Sequence, residues 1–199
     1  MIVGQMSLFR FPMWRECLIA LASHVDALYL RLDVRGNVCA DDVMDACPEK
    51  VKRMITSDTR WNLWNWREEM LRMLDDVKPE LVLSCDEDEQ FGPGIENDIE
   101  FFLQSDSQQM AFEYQYPMPS VDNFEVERGK TFPLTPHVKA FKWHPQLTFQ
   151  GYKGRCRLTS LHGCYLGRSK MLHYCWYNEE VRRTRLWSNK DKMEWTQQQ

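Results

Sequence analysis

Residues 86–89 read Asp-Glu-Asp-Glu, directly after the mostly apolar stretch Leu81-Val82-Leu83-Ser84-Cys85. Four adjacent carboxylates repel one another, and a strand end that only needs solvation manages with one. A positive partner is therefore expected here. A calcium loop is the first candidate, because Asp86, Asp88 and Gln90 have the odd-position spacing of such loops. It fails: Gly92 comes one place late, Asn97 stands where a bidentate Glu is needed, and a strand precedes the cluster in place of a helix. A divalent ion held mainly by carboxylate, with its shell completed by substrate phosphates, suits the end of an α/β strand.

The flanking sequence predicts the elements that hold this cluster. "MIVGQMSLF" reads as a strand, and Trp14, Leu18, Leu21 and Val25 recur at helical spacing after Pro12. "ALYLRLD" alternates as a half-buried strand ending in Asp33. A short helical region is predicted around Asp41 to Met54. Leu63, Trp66, Met70, Met73 or Leu74, and Val77 then form one helical stripe, stopped by Pro79 before strand 81–85. This βαβαβ rhythm predicts a mainly parallel sheet with its ligand crevice at the carboxyl ends of the strands, where the acidic cluster lies. Beyond it, "IENDIEFFLQ" predicts a helix and "MAFEYQYPM" a strand, while "HVKAFKW" and "LTFQGYKGRCRLTSL" predict antiparallel β-structure. "NEEVRRTRLW" predicts a basic terminal helix. The expected fold class is α/β, with an antiparallel C-terminal part.

At 199 residues, 43% hydrophobic and 13% aromatic, the chain suffices for one substantial core, so one domain over 1–199 is expected. No apolar run reaches the roughly 18–20 residues that span a bilayer, and the N-terminus lacks a basic start followed by a long apolar stretch. The seven cysteines contain no CxxC pair, which indicates neither a disulfide framework nor a zinc site; a reducing, cytoplasmic setting is expected. Charge is divided along the chain. Residues 1–127 carry 11 Lys+Arg against 25 Asp+Glu, a balance of −14, and residues 128–199 carry 14 against 4, a balance of +10. Either the two halves attract each other across the fold, or the basic half meets a polyanionic partner.

The stretch "WREEMLRMLDDVKPELVLSCDEDEQF" resembles the helix, strand and DxD-type acidic motif of GT-A glycosyltransferases, particularly family 2. The opening strand and helix, the Asp-ended second strand and the late "KMLHYCWYNEEVRRTRLW", similar to the family's terminal His-Tyr segment, follow in the expected order. The resemblance covers most of the chain. It implies a single GT-A-like domain with a nucleotide-sugar-binding half, 1–118, and an acceptor-side half, 119–199. It also implies a transferase that moves a sugar from a nucleotide sugar, a UDP-sugar foremost, to an acceptor hydroxyl, with manganese or magnesium as cofactor. Asp86 matches the first motif aspartate, near the donor ribose or the metal shell, and Asp88 the principal metal ligand. His173 matches the late histidine that closes over the diphosphate and ligates the same metal. Asp33 matches the acidic strand end that contacts base or ribose.

Arg10, Arg60 and Arg67 are candidates for facing phosphate, Arg67 foremost, and surface charge or stacking of the guanidinium on Trp is the competing reading. Trp61, Trp64 and Trp66 read as packing residues. For the acceptor base, the resemblance points after "MAFEYQYPM", to Asp122 first and then Glu125 or Glu127. No Glu-Asp pair occurs there, and "FQGYKG" lacks the His-Glu of some relatives. Arg128, Lys130, Lys139, Lys142, Lys153, Arg155, Arg157, Arg168 and Lys170 interleave with aromatics in the acceptor half. That pattern suits a nucleic-acid track, with Lys153 and Arg155 as acceptor-binding residues and a 5-hydroxymethylated pyrimidine in DNA as acceptor, as in some virus-encoded enzymes of this class. A cell-surface glycan is the alternative acceptor, and a metal-dependent nuclease or phosphohydrolase the alternative chemistry.

Overall fold

The structure is a computed structural model that describes residues 1–57, 63–115, 136–152, 155–159 and 161–174. Its first half repeats one unit: β1 (Ile2–Leu8), α1 (Trp14–Ser23), β2 (Ala27–Asp33), α2 (Ala40–Ala46), β3 (Val51–Ser57), α3 (Leu63–Arg72) and β4 (Leu81–Asp86). β5 (Glu89–Phe91), α4 (Ile95–Gln104), β6 (Gln109–Gln115), β7 (His137–Phe141), β8 (Thr148–Tyr152), β9 (Arg155–Thr159) and β10 (Cys164–His173) follow. The eight-stranded sheet has the order β3-β2-β1-β4-β7-β6-β10-β5, with β8 and β9 forming a separate hairpin. β1 to β4 are mutually parallel and β10 is parallel to β6, while β7 runs against β4 and β6, and β5 against β10.

The helical region predicted to Met54 ends instead at Ala46. Cys47 precedes Pro48, which disfavours helical backbone before it, and Val51, Ile55 and Thr56 supply the β-branched character of a strand. The rhythm is thus one βα unit longer than the sequence suggests. "HVKAF" is an antiparallel strand, as expected, and lies inside the main sheet between β4 and β6, while "LTFQGY" with "RCRLT" forms the hairpin. The predicted terminal basic helix lies outside the described residues. Five cysteines, Cys17, Cys39, Cys47, Cys85 and Cys164, are free. Among the described residues no helix is long and apolar enough to cross a membrane.

Two apolar layers hold the sheet. On one face, Leu18 and Leu21 of α1 and Ile99 and Phe102 of α4 pack on Met6, Leu8, Leu28, Leu30 and Leu83. On the other, Met70, Leu71 and Leu74 pack on Val3, Ala27, Tyr29 and Val82. Strand alternation assigns these two sets. Facing α3, polarity rises toward the carboxyl edge. Val3 and Val82 lie at the start of their strands, the Gln5 amide donates to the Met70 carbonyl at 2.5 Å, and Ser7, Arg31, Asp33 and Asp86 end the rows. α3 also docks the hairpin: the Glu68 carboxylate accepts from the Phe149 N–H at 2.7 Å and from the Thr148 hydroxyl at 3.2 Å, and Arg72 donates to the Leu147 carbonyl.

The far half of the sheet curls. Three strands separate β4 from β5, a span of about 19 Å in a flat sheet, yet the three-residue step from Asp86 to Glu89 reaches no more than about 11 Å. The Asp86 N–H even donates to a Glu89 carboxylate oxygen at 2.8 Å. β7, β6, β10 and β5 therefore bend round, and Glu89, Lys139 and Tyr114 meet inside the bend. At Gly167 of β10, a Cβ would lie 2.4 Å from the Phe112 ring, so only glycine lets that strand pass.

Candidate functional site

The four carboxylates after β4 take four different partners. Asp86 ends β4 opposite Ser7 of β1, at the point where strand order reverses, which is where ligands bind in open α/β sheets. Its carboxylate accepts from the Arg67 guanidinium at 2.9 Å and from the Lys139 ammonium at 3.1 Å. Burial opposes its ionisation, but Lys139 and then Arg67 outweigh that and hold the carboxyl well below its usual range. Glu89 is 1% exposed and accepts from Lys139 at 2.5 Å and from the Tyr114 hydroxyl at 2.5 Å. Lys139, 5% exposed, is raised above the ordinary lysine value: burial works against its charge, and Asp86 and Glu89 overcome it.

Glu87 turns the other way. Its carboxylate accepts from the backbone N–H of Phe9 at 2.6 Å and of Arg10 at 3.4 Å in the β1–α1 loop. Burial pushes its carboxyl up to about 7 in spite of these bonds. Asp88 reaches β10, where its carboxylate lies 3.1 Å from His173 Nε2, and its carbonyl accepts the Tyr174 N–H at 2.8 Å. Asp88, Glu89 and His173 each offer a ligand atom within 4.8 Å of the others. Glu89 already serves Lys139, Tyr114 and the Asp86 amide, so Asp88 and His173 are the pair suited to a cation. One carboxylate and one imidazole, leaving positions for phosphate oxygens and water, fit manganese or magnesium.

The position of His173 is set from below. Asp98 of α4, 1% exposed, accepts from the N–H of Arg168 at 2.9 Å, from the N–H of Ser169 at 2.8 Å and from the Ser169 hydroxyl at 2.5 Å. These residues form the irregularity between Leu166 and Lys170 where β10 shifts register against β6. Burial would raise the Asp98 carboxyl, but the bonds from Ser169 and Arg168 leave it below its ordinary value.

Asp33 ends β2 as predicted, but its carboxylate is occupied by Arg35, at 2.8 Å and 2.5 Å, with Arg31 at 3.7 Å. Burial raises its carboxyl and the Arg35 bonds more than reverse this, so it is held low. Arg10 lies over the Phe9 ring at 4.4 Å and, with Phe11, Pro12, Trp14, Arg35, Gly36 and Asn37, lines a cleft of about 480 Å³. Arg67 both pairs with Asp86 and lies 4.6 Å from the Trp66 ring centre. Trp66 packs against the core, as a packing residue should. Asp122, Glu125, Glu127, Arg60, Trp61 and Lys153, and the side chains of Trp64 and Arg155, lie outside what the structure describes. The site therefore unites Arg67, Asp86, Asp88 and His173, with Asp33 at the end of β2 and Arg10 in the loop after β1 at the same edge.

Sequence reading missed Lys139 and Tyr114 as partners of the carboxylate cluster. Lys139 belongs to the basic acceptor track in sequence, yet in β7 it shares a face with the buried Phe141, and that alternation is the signal of an inward lysine. Two more of that track have partners in the protein: Lys142 donates to the carbonyls of Ser105 at 2.6 Å and Leu103 at 3.3 Å at the end of α4, and the exposed Lys170 pairs with Glu113 on the surface. Among the described residues, three cations of that track thus pair within the protein.

No protein-family profile matches the chain, and no curated protein matches it by sequence. Among solved structures it is similar to Staphylococcus aureus TarS 1–349 in complex with UDP-GlcNAc (13% identity, TM-score 0.46), over 58% of this chain and 35% of that one. It is also similar to Yersinia pseudotuberculosis HddC (10% identity, TM-score 0.49), over 92% and 96% of the two chains. A third is a 4-diphosphocytidyl-2C-methyl-D-erythritol synthase from Anaerococcus prevotii (16% identity, TM-score 0.46), over 71% and 69%. The chain spans about a third of the TarS chain.

Proposed function

We propose that this protein is a divalent-metal-assisted glycosyltransferase of the GT-A kind, taking a nucleotide sugar, a UDP-sugar foremost, as donor. The single observation that carries the reading is the convergence at one strand edge of the Asp88–His173 pair and of two cations, Arg67 and Lys139, on the adjoining Asp86. Cleaving a sugar–phosphate bond builds negative charge on the departing nucleoside diphosphate, and fixed positive charge stabilises that without any proton transfer. Asp88 and His173 would hold the ion, whose contribution is to neutralise the diphosphate. Arg67, held between Asp86 and Trp66, offers guanidinium donors to phosphate oxygens in exchange for Asp86. Asp33 and Arg10, beside the cleft at the β1 and β2 ends, would take the nucleoside.

A nucleotidyltransferase is the second reading, and Glu87 speaks against it. Backbone amides following a first strand are a natural cradle for a triphosphate, but here Phe9 and Arg10 give theirs to Glu87. The Asp88–His173 pair equally suits a phosphohydrolase, which would cleave the nucleotide without needing its sugar. Calorimetry of UDP with and without manganese, and mass spectrometry after incubation with a panel of nucleotide sugars, separate these. Metal-dependent UDP binding with sugar transfer supports the proposal; phosphate release from any nucleotide supports the hydrolase.

For the acceptor, DNA carrying a hydroxymethylated pyrimidine is the proposal that the basic half supports, reduced by Lys139 and Lys142, which bond inside the protein, and by Lys170, which pairs with Glu113 on its surface. Each neutralised phosphate adds a slope of about −0.9 in log affinity against log salt, so replacing Lys153 and Arg155 by Ala should flatten it by roughly 1 to 2. Salt-insensitive binding, or equal transfer to a neutral oligosaccharide, would assign the acceptor to the glycans.

A further inference from the structure

We infer that His137 is the base that takes the proton from the acceptor hydroxyl, an assignment that rests on the transferase reading above. His137 is the first residue of β7, and because β7 runs against its neighbours it lies at the carboxyl edge of the parallel strands. In the sheet it stands between β4, which ends in Asp86, and β6, which carries Tyr114. Its ring stacks on Tyr114, with centroids 4.2 Å apart and planes at 21°. Tyr114 is itself fixed, its hydroxyl on Glu89 at 2.5 Å and its ring 4.8 Å from that of His173. An exposed imidazole is thus held in place at the rim, one ring away from the metal-binding pair.

The surroundings favour the form a base needs. Burial of its stacked side and then the Lys139 ammonium hold the imidazole below its ordinary value, against the smaller opposite pull of Glu89 and Asp86; the His173 ring adds to the lowering. Near neutral pH its lone pair is available. In the step, the hydroxyl proton passes to the imidazole as the oxygen's electron pair forms the bond to the anomeric carbon. The carbon–phosphate-oxygen bond breaks, its pair stays on the diphosphate, and the imidazolium later returns the proton to solvent.

The test uses UDP-GlcNAc with manganese, water as acceptor and released UDP as readout, for the whole protein and for His137→Phe and His137→Ala. Phe preserves stacking on Tyr114 and cannot accept a proton. Both variants should bind UDP within about twofold of the parent and melt close to it, yet release UDP about 100-fold or more slowly. Added imidazole should restore part of the rate to His137→Ala and none to His137→Phe, where the ring fills the space. Full turnover by His137→Phe would reduce His137 to a stacking residue, and a parallel loss of UDP binding would make it a donor contact; either overturns the inference alone. A parent protein that binds no UDP, or binds it and transfers nothing, overturns the transferase reading and this inference with it.

Discussion

The Lys139 ammonium lies 2.5 Å from the Glu89 carboxylate, and both are buried inside the bend of the sheet. A buried pair of this kind contributes little over an apolar pair of the same volume, but removing one partner leaves an uncompensated charge. Lys139→Met should therefore destabilise the protein by about 3–5 kcal/mol in urea titration. Lys139→Met/Glu89→Leu should recover only part of this, because Tyr114 and the Asp86 amide lose their acceptor. Full recovery would mean that these two bonds contribute nothing.

Asp88 is the residue proposed to hold the cation, and its carboxylate is 17% exposed beside His173, so its substitution should spare the fold. Asp88→Asn should melt within a few degrees of the parent while UDP affinity in manganese falls by at least the roughly 10–100-fold that disturbing even an outer ligand partner costs. Binding in the presence of chelator should be equally weak in both proteins. Calorimetry with and without chelator checks it, and unchanged metal-dependent affinity in the variant refutes the assignment.

His173 touches both Asp88 and the Tyr114 ring, so its two roles, ligand and packing residue, make opposite forecasts. As a ligand, His173→Ala should lower turnover at saturating donor far more than it lowers the melting temperature. As a packing histidine, it should do the reverse. We expect the first order, measured by thermal melting beside steady-state rates.

The legible part of this architecture was the part in which local pattern and tertiary demand agree. Leu28, Leu30 and Leu32 alternate because they line one of the two core layers, but β2 is not the half-buried strand expected: Ala27, Tyr29, Arg31 and Asp33 are buried on its other face. The stripe of Trp66 and Met70 is helical because α3 covers Val3 and Val82, although the helix ends at Arg72 and Met73 to Val77 form turns. The need for a cation beside residues 86–89 was also legible, since repulsion follows from sequence alone. Its source was not: Lys139 is 53 residues from Asp86, and only the long-range pairing of β7 with β4 brings them together. Equally hidden was that Glu87 and Glu89 point to opposite sides of the turn, one to loop amides and one to a lysine. β10 was read for its histidine and not as a strand, because its alternation breaks where Gly167 passes Phe112 and Asp98 captures Arg168 and Ser169.

That capture gives the last forecast. Asp98 is held below its unfolded value of 3.8, so as a carboxylate it binds the β10 turn more tightly than the protonated acid would. The sign follows from linkage: its stabilisation is complete above about pH 4–5, where the unfolded chain is also ionised, and is lost as pH falls through the lower folded-state value. Asp98→Asn keeps the shape but replaces one acceptor oxygen with a donor facing N–H groups, and should cost about 1.5–3 kcal/mol near neutral pH. The difference between parent and variant should be flat from pH 5 to 8 and narrow below pH 4 in urea titrations. A second readout concerns the site. Because β10 carries His173 only four residues beyond Ser169, the loosened strand should weaken manganese-dependent UDP binding, although Asp98 itself lies beneath the sheet edge. A difference in stability that stays constant down to pH 3, or that widens there, would show that the carboxylate of Asp98 is not what holds the β10 turn.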